Sequence, residues 1–309
     1  MKFLKPKFWN KKQISIYSIF LYPLALLVRL INILRNLLIR CNKFSIPIIC
    51  IGNIYIGGTG KTPLSIKIFS IYKNLNTNPV FIRKKYSAFQ DEVDLQRNIG
   101  RVYESKKRNT AIENAIKDKA DIAILDDGFQ DPSVEKNLSI ICFNEKQWIG
   151  NGLTIPSGPL REPLSSLKRA EIVLINGNKN IEIEKKILNR NKKIKIFYFK
   201  YNLQNIEKFN NKNIVAFAGI GNPINFFNLL ERKNLKIVDS IEFPDHYYYK
   251  NEDLENLINK ARNNNAVLLT TEKDYFRINE NYSKNINCIK IDVEIENEDW
   301  FIEEIKKII

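Results

Sequence analysis

Ser45-Ile-Pro-Ile-Ile-Cys-Ile51 is a short apolar run of strand type, and the glycine-rich segment Gly52-Asn-Ile-Tyr-Ile-Gly-Gly-Thr-Gly-Lys-Thr62 follows it directly. A periodic apolar segment then continues through Tyr72, so the predicted order is strand, glycine loop, helix. This order is the context of a phosphate-binding loop, in which backbone N–H groups surround phosphate oxygens at a helix N-terminus. The sequence therefore predicts an α/β fold with a P-loop NTPase-type three-layer α/β/α domain.

The glycine loop also carries the side chains that nucleotide binding requires. Lys61 supplies a positive charge for the β- and γ-phosphates, and Thr62 offers a hydroxyl to Mg²⁺. The loop is a variant, because Tyr55 stands where the usual pattern GxxxxGK[ST] begins with glycine. The alternative is a glycine-rich turn that binds no ligand. The predicted nucleotide-binding residues are Gly57, Gly58, Thr59, Gly60, Lys61 and Thr62.

A pair of acids follows a second predicted strand, in Asp121-Ile-Ala-Ile-Leu-Asp126-Asp127-Gly128. A carboxylate at the end of a buried strand can hold Mg²⁺ directly or through water. Asp-Gly is also common turn chemistry, so a simple turn at the strand end is the alternative. With the phosphate loop upstream, we predict that Asp126 or Asp127 is a metal ligand.

The formal charge of +15 lies at one end of the chain. Residues 1–90 contain 15 Lys and Arg and no Asp or Glu, whereas residues 91–309 carry 34 charges of each sign. Such asymmetry suits an anionic partner: a membrane surface, nucleic acid or a phosphorylated substrate. A Lys-rich composition accounts for part of the basicity, but it does not account for the missing acids.

The N-terminal segment combines this charge with an apolar run. Residues 14–28 are uncharged and mostly apolar, and at 1.5 Å per residue a helix of about 22 Å is short of a bilayer core of about 30 Å. Arg29, Arg35 and Arg40 then interrupt further apolar residues at helical spacing. We predict a membrane-interface helix within residues 1–42. The alternatives are a single span or signal anchor, and an ordinary buried helix.

Metal chemistry based on cysteine and histidine is disfavoured. The chain has one histidine, and its cysteines are scattered without metal-type spacing. We expect free thiols in a reducing compartment. The cysteines are Cys41, Cys50, Cys142 and Cys288.

Two other classes of P-loop protein fit poorly. Guanine recognition needs Asn/Thr-Lys-x-Asp, and neither Asn178-Lys-Asn-Ile181 nor Thr271-Glu-Lys-Asp274 has that spacing. Membrane-bound partitioning ATPases carry a Lys just before the double glycine, where this chain has Ile56.

Six segments, in order from about residue 45 to 275, together resemble the tetraacyldisaccharide 4′-kinases, the lipid A 4′-kinases. This resemblance implies a second, smaller α/β domain and transfer of the γ-phosphate of ATP to the 4′-hydroxyl of a tetraacylated glucosamine disaccharide 1-phosphate. The segments are Gly52-Asn53 with GGTGKTP, Asp126-Asp-Gly-Phe-Gln130, Pro156-Ser-Gly-Pro-Leu-Arg-Glu-Pro163, Phe217-Ala-Gly-Ile-Gly-Asn-Pro223, Phe243-Pro-Asp-His246 and Thr271-Glu-Lys-Asp274.

The resemblance also implies roles for individual residues. Asp91 matches the acid expected to accept the proton of the sugar hydroxyl, and His246 is expected to hydrogen-bond Asp91 and orient it. Arg161 is expected on the phosphates and Glu162 near the metal. The expected substrate-binding residues are Arg83, Tyr86 and Glu92. The chain departs from the family pattern at Arg83-Lys-Lys-Tyr86, which lacks a glycine, and at Asp131, where histidine is usual.

The predicted division is 1–42 for the membrane-associating helix, 43–205 for the P-loop kinase domain and 206–309 for a C-terminal α/β domain. The predicted cofactors are ATP and Mg²⁺, and the predicted partners are the glycolipid and the anionic cytoplasmic face of the inner membrane, with no nucleic acid. The alternatives are a membrane-associated partitioning or targeting ATPase and a P-loop kinase of a soluble small molecule.

Overall fold

The computed structural model describes residues 6–11, 13–57, 60–85 and 90–309. The chain forms two compact units that are interleaved along the sequence. Unit 1 comprises Met1–Lys85, Arg101–Lys200 and Ile295–Ile309, and unit 2 comprises Tyr86–Gly100 and Tyr201–Glu294. The linear division at residues 42 and 205 stays a prediction.

Helices and strands alternate along most of the chain. The helices are α1 Ile16–Leu38, α2 Lys61–Asn74, α3 Gln90–Arg97, α4 Arg108–Lys117, α5 Ile181–Leu188, α6 Pro223–Arg232, α7 Asn251–Asn263, α8 Glu272–Tyr275, α9 Glu280–Ser283 and α10 Glu298–Lys306. The strands are β1 Ile48–Gly52, β2 Pro79–Lys84, β3 Val102–Ser105, β4 Ile122–Asp126, β5 Leu138–Asn144, β6 Ile172–Asn176, β7 Lys195–Gln204, β8 Asn213–Ala218, β9 Lys236–Glu242, β10 Ala266–Thr271 and β11 Asn287–Ile295. Short 3₁₀ helices lie at Lys7–Asn10, Leu164–Arg169 and Ile206–Phe209.

Unit 1 contains a parallel sheet in the order β3-β2-β4-β1-β5-β6-β7. Its central strands are continuous apolar runs, and every residue of β1 and β4 is buried. This is the pattern of parallel strands covered by helices on both faces, and the predicted α/β class is confirmed.

The strand order of unit 1 places the glycine loop beside the paired acids. β1 lies between β4 and β5, and Ile51 of β1 is in register with Asp126 of β4. Because parallel strands end at the same edge, the loop after β1 and the acids after β4 meet there. Ligands of open α/β sheets bind at this carboxyl edge.

Unit 2 has its own parallel sheet, in the order β11-β10-β8-β9. Two apolar clusters pack against it, one including Phe226 and Leu230 of α6 and the other including Leu254 and Leu257 of α7. Helix α3, which lies between β2 and β3 in sequence, belongs to this unit. The second, smaller α/β domain of the predicted fold is thereby present.

Helix α1 includes both the uncharged run and the arginines that follow it. It continues through Arg29 and Arg35 for 23 residues, which is about 34 Å at 1.5 Å per residue. Pro23 lies inside it. The helix is long and apolar enough to cross a membrane by length and composition, with 11% of its most apolar window buried. The length of about 22 Å concerned the uncharged run alone, and the helix is longer because it extends past the first arginine.

Candidate active site

The phosphate-loop backbone requires glycine at two described positions. Gly57 has a φ of 112° and Gly60 a φ of 87°, values that side-chain-bearing residues rarely adopt. Gly60 is the N-cap of α2, so Lys61 and Thr62 open the helix whose N-terminal N–H groups face the loop. Gly58 and Thr59, also predicted for phosphate binding, lie outside the described residues.

Lys61 and Thr62 lie next to the acids that follow β4. The Lys61 Nζ is 3.7 Å from Asp127 Oδ1, and the Thr62 hydroxyl donates to Asp126 Oδ2 at 3.4 Å. The structure therefore brings together the two halves of the predicted nucleotide and metal site. The hydroxyl and carboxylate oxygens are of the type that Mg²⁺ prefers.

Asp127 is the centre of a cluster of charges. Its backbone has a φ of 56°, and both of its carboxylate oxygens accept from Arg161 at 2.9 Å. Burial favours the neutral acid, but Lys61 and Arg161 outweigh it and hold the pKa of Asp127 below its ordinary value. Asp127 is thus an anion that balances the two cations predicted to contact phosphate.

Asp126 is paired with a different cation. Its carboxylate is almost fully buried, and Arg83 at the end of β2 lies 3.3 Å away, itself 9% exposed. The sequence predicted Arg83 as a substrate residue, and the structure places it at the strand edge beside the predicted metal ligand. Its role in substrate binding stays a prediction.

Glu162, predicted near the metal, forms an ion pair with Arg169. Arg169 donates to its carboxylate at 2.6 Å and covers the Phe129 ring at 4.5 Å. Burial raises the pKa of Glu162 despite this partner. In the part of the chain that the structure describes, no group of three His, Cys, Asp or Glu side chains is placed to hold a metal ion.

Arg108 joins this site, although no motif or spacing in the sequence singles it out. It donates to Asp131 Oδ2 at 2.8 Å and to the backbone carbonyl of Asp127 at 2.8 Å. Lys136 also donates to the backbone carbonyl of Asp131. The ion pair of Arg108 and Asp131 therefore braces the left-handed backbone at Asp127, at the position where the family usually has histidine.

In unit 2, Asp91 and His246 lie side by side, although the predicted division at residue 205 had put them in different domains. His246 Nδ1 is 3.2 Å from Asp91 Oδ2, and the Asp91 side chain is 3% exposed. The same oxygen lies 3.4 Å from Arg277 Nε and 3.7 Å from Lys273 Nζ. Burial opposes ionisation, but His246, Lys273 and Arg277 together hold the pKa of Asp91 below its ordinary value.

A buried hydrogen-bond network holds the His246 loop. His246 has a φ of 55°, and its N–H donates to the Gly219 carbonyl at 3.0 Å. Arg277 donates to the same carbonyl and to that of Tyr247, each at 3.1 Å. Asp274, fully buried, accepts from Gly219 N–H at 2.9 Å and pairs with Arg277 at 2.9 Å.

Lys273 and Arg277 were missed by sequence reasoning, although Lys273 lies in a motif that was recognised. A further predicted substrate residue, Glu92, accepts from Lys273 at 2.9 Å. Tyr86, predicted beside it, lies outside the described residues.

The N-terminal segment is built into the loops of the site in unit 1. Trp9 is buried, donates through Nε1 to the Pro156 carbonyl at 3.0 Å and accepts from Asn151 N–H at 3.0 Å. Ser18 of α1 is bound by Asn151 at 3.0 Å and by the Ser157 hydroxyl at 2.5 Å. The loop bound in this way leads directly to Arg161. Trp9 and Ser18 therefore tie the described part of the N-terminal segment to the loop that precedes Arg161.

Comparison with known proteins decides the family. The family model of tetraacyldisaccharide-1-P 4'-kinase matches residues 17–309. The chain belongs to this family. It is 44% identical over 305 residues to the tetraacyldisaccharide 4'-kinase of Pelagibacter ubique, with 96% of each chain covered. It is 34% identical over 325 residues to that of Rickettsia bellii, with 99% of each covered.

A solved structure supports the fold. The "apo" form of LpxK from Aquifex aeolicus, in complex with ATP, superposes with a TM-score of 0.74 and covers 95% of this chain and 99% of its own. At 21% identity this likeness concerns the fold alone. The recognised family and the kinase class are confirmed, whereas the roles of individual site residues stay predictions.

Proposed function

We propose that this chain transfers the γ-phosphate of ATP to the 4′-hydroxyl of a tetraacylated glucosamine disaccharide 1-phosphate. The observation that carries the proposal is the meeting of the glycine loop, Lys61 and Thr62 with Asp126 and Asp127 at the carboxyl edge of the unit 1 sheet. This arrangement suits phosphoryl transfer, which depends on alignment and charge neutralisation. Family membership supplies the lipid acceptor.

The nucleotide is held by the phosphate loop in this proposal. The N-terminal N–H groups of α2 and the ammonium of Lys61 bind the β- and γ-phosphates. Without nucleotide, the charges of Lys61 and Arg161 are neutralised by the Asp127 carboxylate, which lies 3.7 Å from Lys61 and 2.9 Å from Arg161. Phosphate oxygens compete with Asp127 for both cations, so nucleotide binding releases the Asp127 carboxylate.

The residues beside Thr62 fit a magnesium ion. When bound, Mg²⁺ neutralises charge on the β- and γ-phosphates. The Thr62 hydroxyl and Asp126 carboxylate, 3.4 Å apart, would supply hard oxygen ligands, and Asp127 would supply another once released. Glu162, next to Arg161 in sequence and paired with Arg169, would lie near the ion.

Asp91 acts as the proton acceptor in the proposed reaction. The 4′-oxygen forms a bond to the γ-phosphorus, the bond from that phosphorus to the bridging oxygen of ADP breaks, and the hydroxyl proton goes to Asp91. His246 orients the carboxylate from 3.2 Å. Arg83, Tyr86 and Glu92 are proposed to contact the disaccharide.

We place the enzyme at the cytoplasmic face of the inner membrane, seated through α1. One whole face of this helix is apolar and exposed, as at Phe20, Leu27, Leu30 and Leu37. The +15 charge adds attraction to anionic lipid. A substrate whose acyl chains are embedded in the bilayer then lies in the same membrane that the enzyme binds.

A panel of acceptors tests the proposal. The purified full chain is incubated with γ-labelled ATP and, separately, the tetraacyldisaccharide 1-phosphate, glucosamine 1-phosphate or water alone. We expect label in the lipid only. Label in the soluble sugar would indicate a small-molecule kinase, and hydrolysis without transfer would indicate a targeting ATPase.

A further inference from the structure

The single histidine of the chain has its two ring nitrogens in opposite electrostatic surroundings. His246 Nδ1 lies 3.2 Å from the Asp91 carboxylate, whereas Nε2 lies 3.4 Å from the ammonium of Lys273. A lysine ammonium has three donors and no acceptor, and a carboxylate has only acceptors. The nitrogen that faces Lys273 therefore has to be the acceptor.

We infer that Lys273 fixes the tautomer of His246, with the ring proton on Nδ1, so that the ring donates to Asp91. Lys273 is thus a positioning residue for the proton acceptor. The positioning role of Lys273 rests on the proposed function. The tautomer of His246 does not, because it depends on residues of unit 2 alone.

The ammonium of Lys273 is held in place by two acids. Glu92 accepts from it at 2.9 Å, and Asp91 Oδ2 lies 3.7 Å away. The side chains of Lys273 and Glu92 are 22% and 20% exposed, so solvent screens this pair only in part. Both anions attract the ammonium of Lys273 and keep it beside the ring.

The backbone fixes the point from which the His246 ring extends, and the competing acceptor beside Nε2 is weaker than Lys273. The His246 N–H is bonded to Gly219 and its φ is 55°, so the origin of the side chain is fixed. Asp245 Oδ1, 3.8 Å from Nε2, is the competing acceptor that would favour a proton there. That carboxylate is 48% exposed and farther from Nε2 than Lys273 is, so the lysine dominates.

This tautomer has a consequence for the chemistry. His246 Nδ1, Lys273 Nζ and Arg277 Nε all converge on Asp91 Oδ2. We assign the other carboxylate oxygen, Oδ1, to the incoming sugar hydroxyl. His246 is then a fixed donor that aims Asp91 and does not itself receive the hydroxyl proton in the resting enzyme.

Because the chain has one histidine, the tautomer can be read without resonance assignment. The full chain is labelled with ¹⁵N-histidine and examined by NMR at neutral pH. We expect a bare-nitrogen signal for Nε2 and a protonated-nitrogen signal for Nδ1. A proton on Nε2 in the wild type would overturn the inference, whether or not the protein is an active kinase.

Variants of Lys273 complete the test. Lys273→Met removes the ammonium and is expected to place a proton on Nε2, whereas Lys273→Arg, which also only donates, keeps it bare. Lys284→Met, at an exposed lysine of the same unit, is the matched control. A bare Nε2 in Lys273→Met would show that something else sets the tautomer and would sink the inference.

Kinetics separate positioning from folding. Lys273→Met is expected to lower kcat by about tenfold to a hundredfold with little change in the KM for ATP, and Lys273→Arg to restore most of it. The NMR and kinetic measurements can each contradict one hypothesis without contradicting the other. An intact tautomer without lipid phosphorylation would contradict the proposed function, whereas a changed tautomer with full kcat would contradict the positioning role.

Discussion

At the residue scale, the site consists of charged side chains that pair with one another in the protein without substrate. Asp127 neutralises Lys61 and Arg161, and one oxygen of Asp91 contacts the cations Lys273 and Arg277 together with a ring nitrogen of His246. Removing one partner of a buried pair leaves the other uncompensated, which costs more than the pair contributes. Single substitutions here should therefore change both chemistry and stability, and controls must separate the two.

Lys61→Ala should lower kcat/KM by about 10²–10³-fold, because it deletes a charge directed at the transferring phosphoryl group. The fold should survive, since Lys61 opens α2 and is not part of the core. Lys73→Ala, at the exposed end of the same helix, is the control and should be fully active. Normal turnover of Lys61→Ala at saturating ATP would remove this residue from the mechanism.

Asp91 and His246 should behave as one unit in a double-mutant cycle on kcat. Because His246 acts through the carboxylate 3.2 Å away, Asp91→Ala with His246→Ala should cost little more than the worse single change. ATP affinity, measured separately, should be unaffected. Losses that multiply in full would show that the two residues act independently.

Arg108→Met should destabilise the protein by about 2 kcal/mol at neutral pH and raise the KM for ATP, since Asp127 loses its brace. Burial works against ionisation, but Ser133 and Arg108 lower the pKa of Asp131 overall. The ion pair therefore stabilises the fold above the unfolded pKa of about 4 and loses this effect as pH falls through the folded value.

The check is denaturant unfolding of both proteins between pH 7 and pH 3. The stability gap between wild type and Arg108→Met should be largest at pH 7 and should narrow below about pH 4. A gap that is independent of pH would mean that Arg108 acts by packing and not through Asp131. Asp131→His restores the usual family residue. Repeating the comparison in this background shows whether Arg108 contributes to stability only when residue 131 is an acid.

At the element scale, the N-terminal segment has two functions that substitutions can separate. Its inner side binds the loop of residues 150–161 through Trp9 and Ser18, while its outer face is apolar and exposed. A simple anchor would need only the outer face. Deleting residues 1–42 should therefore abolish nucleotide binding as well as membrane binding, although β1 begins only at Ile48.

The outer face should be dispensable for nucleotide binding. Leu27→Gln with Leu30→Gln and Leu34→Gln, each about half exposed, should lower partitioning onto anionic vesicles by at least about tenfold, with an unchanged Kd for ATP. Trp9→Ala should raise the Kd for ATP and leave partitioning onto vesicles unchanged. Trp300→Ala, at an exposed tryptophan of the same unit, is its control. Vesicle binding by the triple variant equal to wild type would place the anchor elsewhere.

At the scale of the whole molecule, local signals in the sequence predicted the first unit and part of the second. The glycine loop, the acids after β4 and the Asp91–His246 contact were predictable because motif residues carry them. The partners Arg108 and Arg277 were not, since Arg108 is 23 residues from Asp131, Arg277 is distant in sequence from Asp91, and neither stands in a motif.

The position of the new phosphate on the lipid decides whether the 4′-hydroxyl is the acceptor. The purified full chain is given Mg-ATP and the tetraacyldisaccharide 1-phosphate, and the product is analysed by ³¹P NMR and by proton–phosphorus correlation. We expect two phosphate monoesters, the original at position 1 and a new one coupled to the proton at position 4′, with one ADP formed for each new monoester. A product phosphorylated elsewhere, or ADP released while the lipid keeps a single phosphate, would show that the 4′-hydroxyl is not the acceptor.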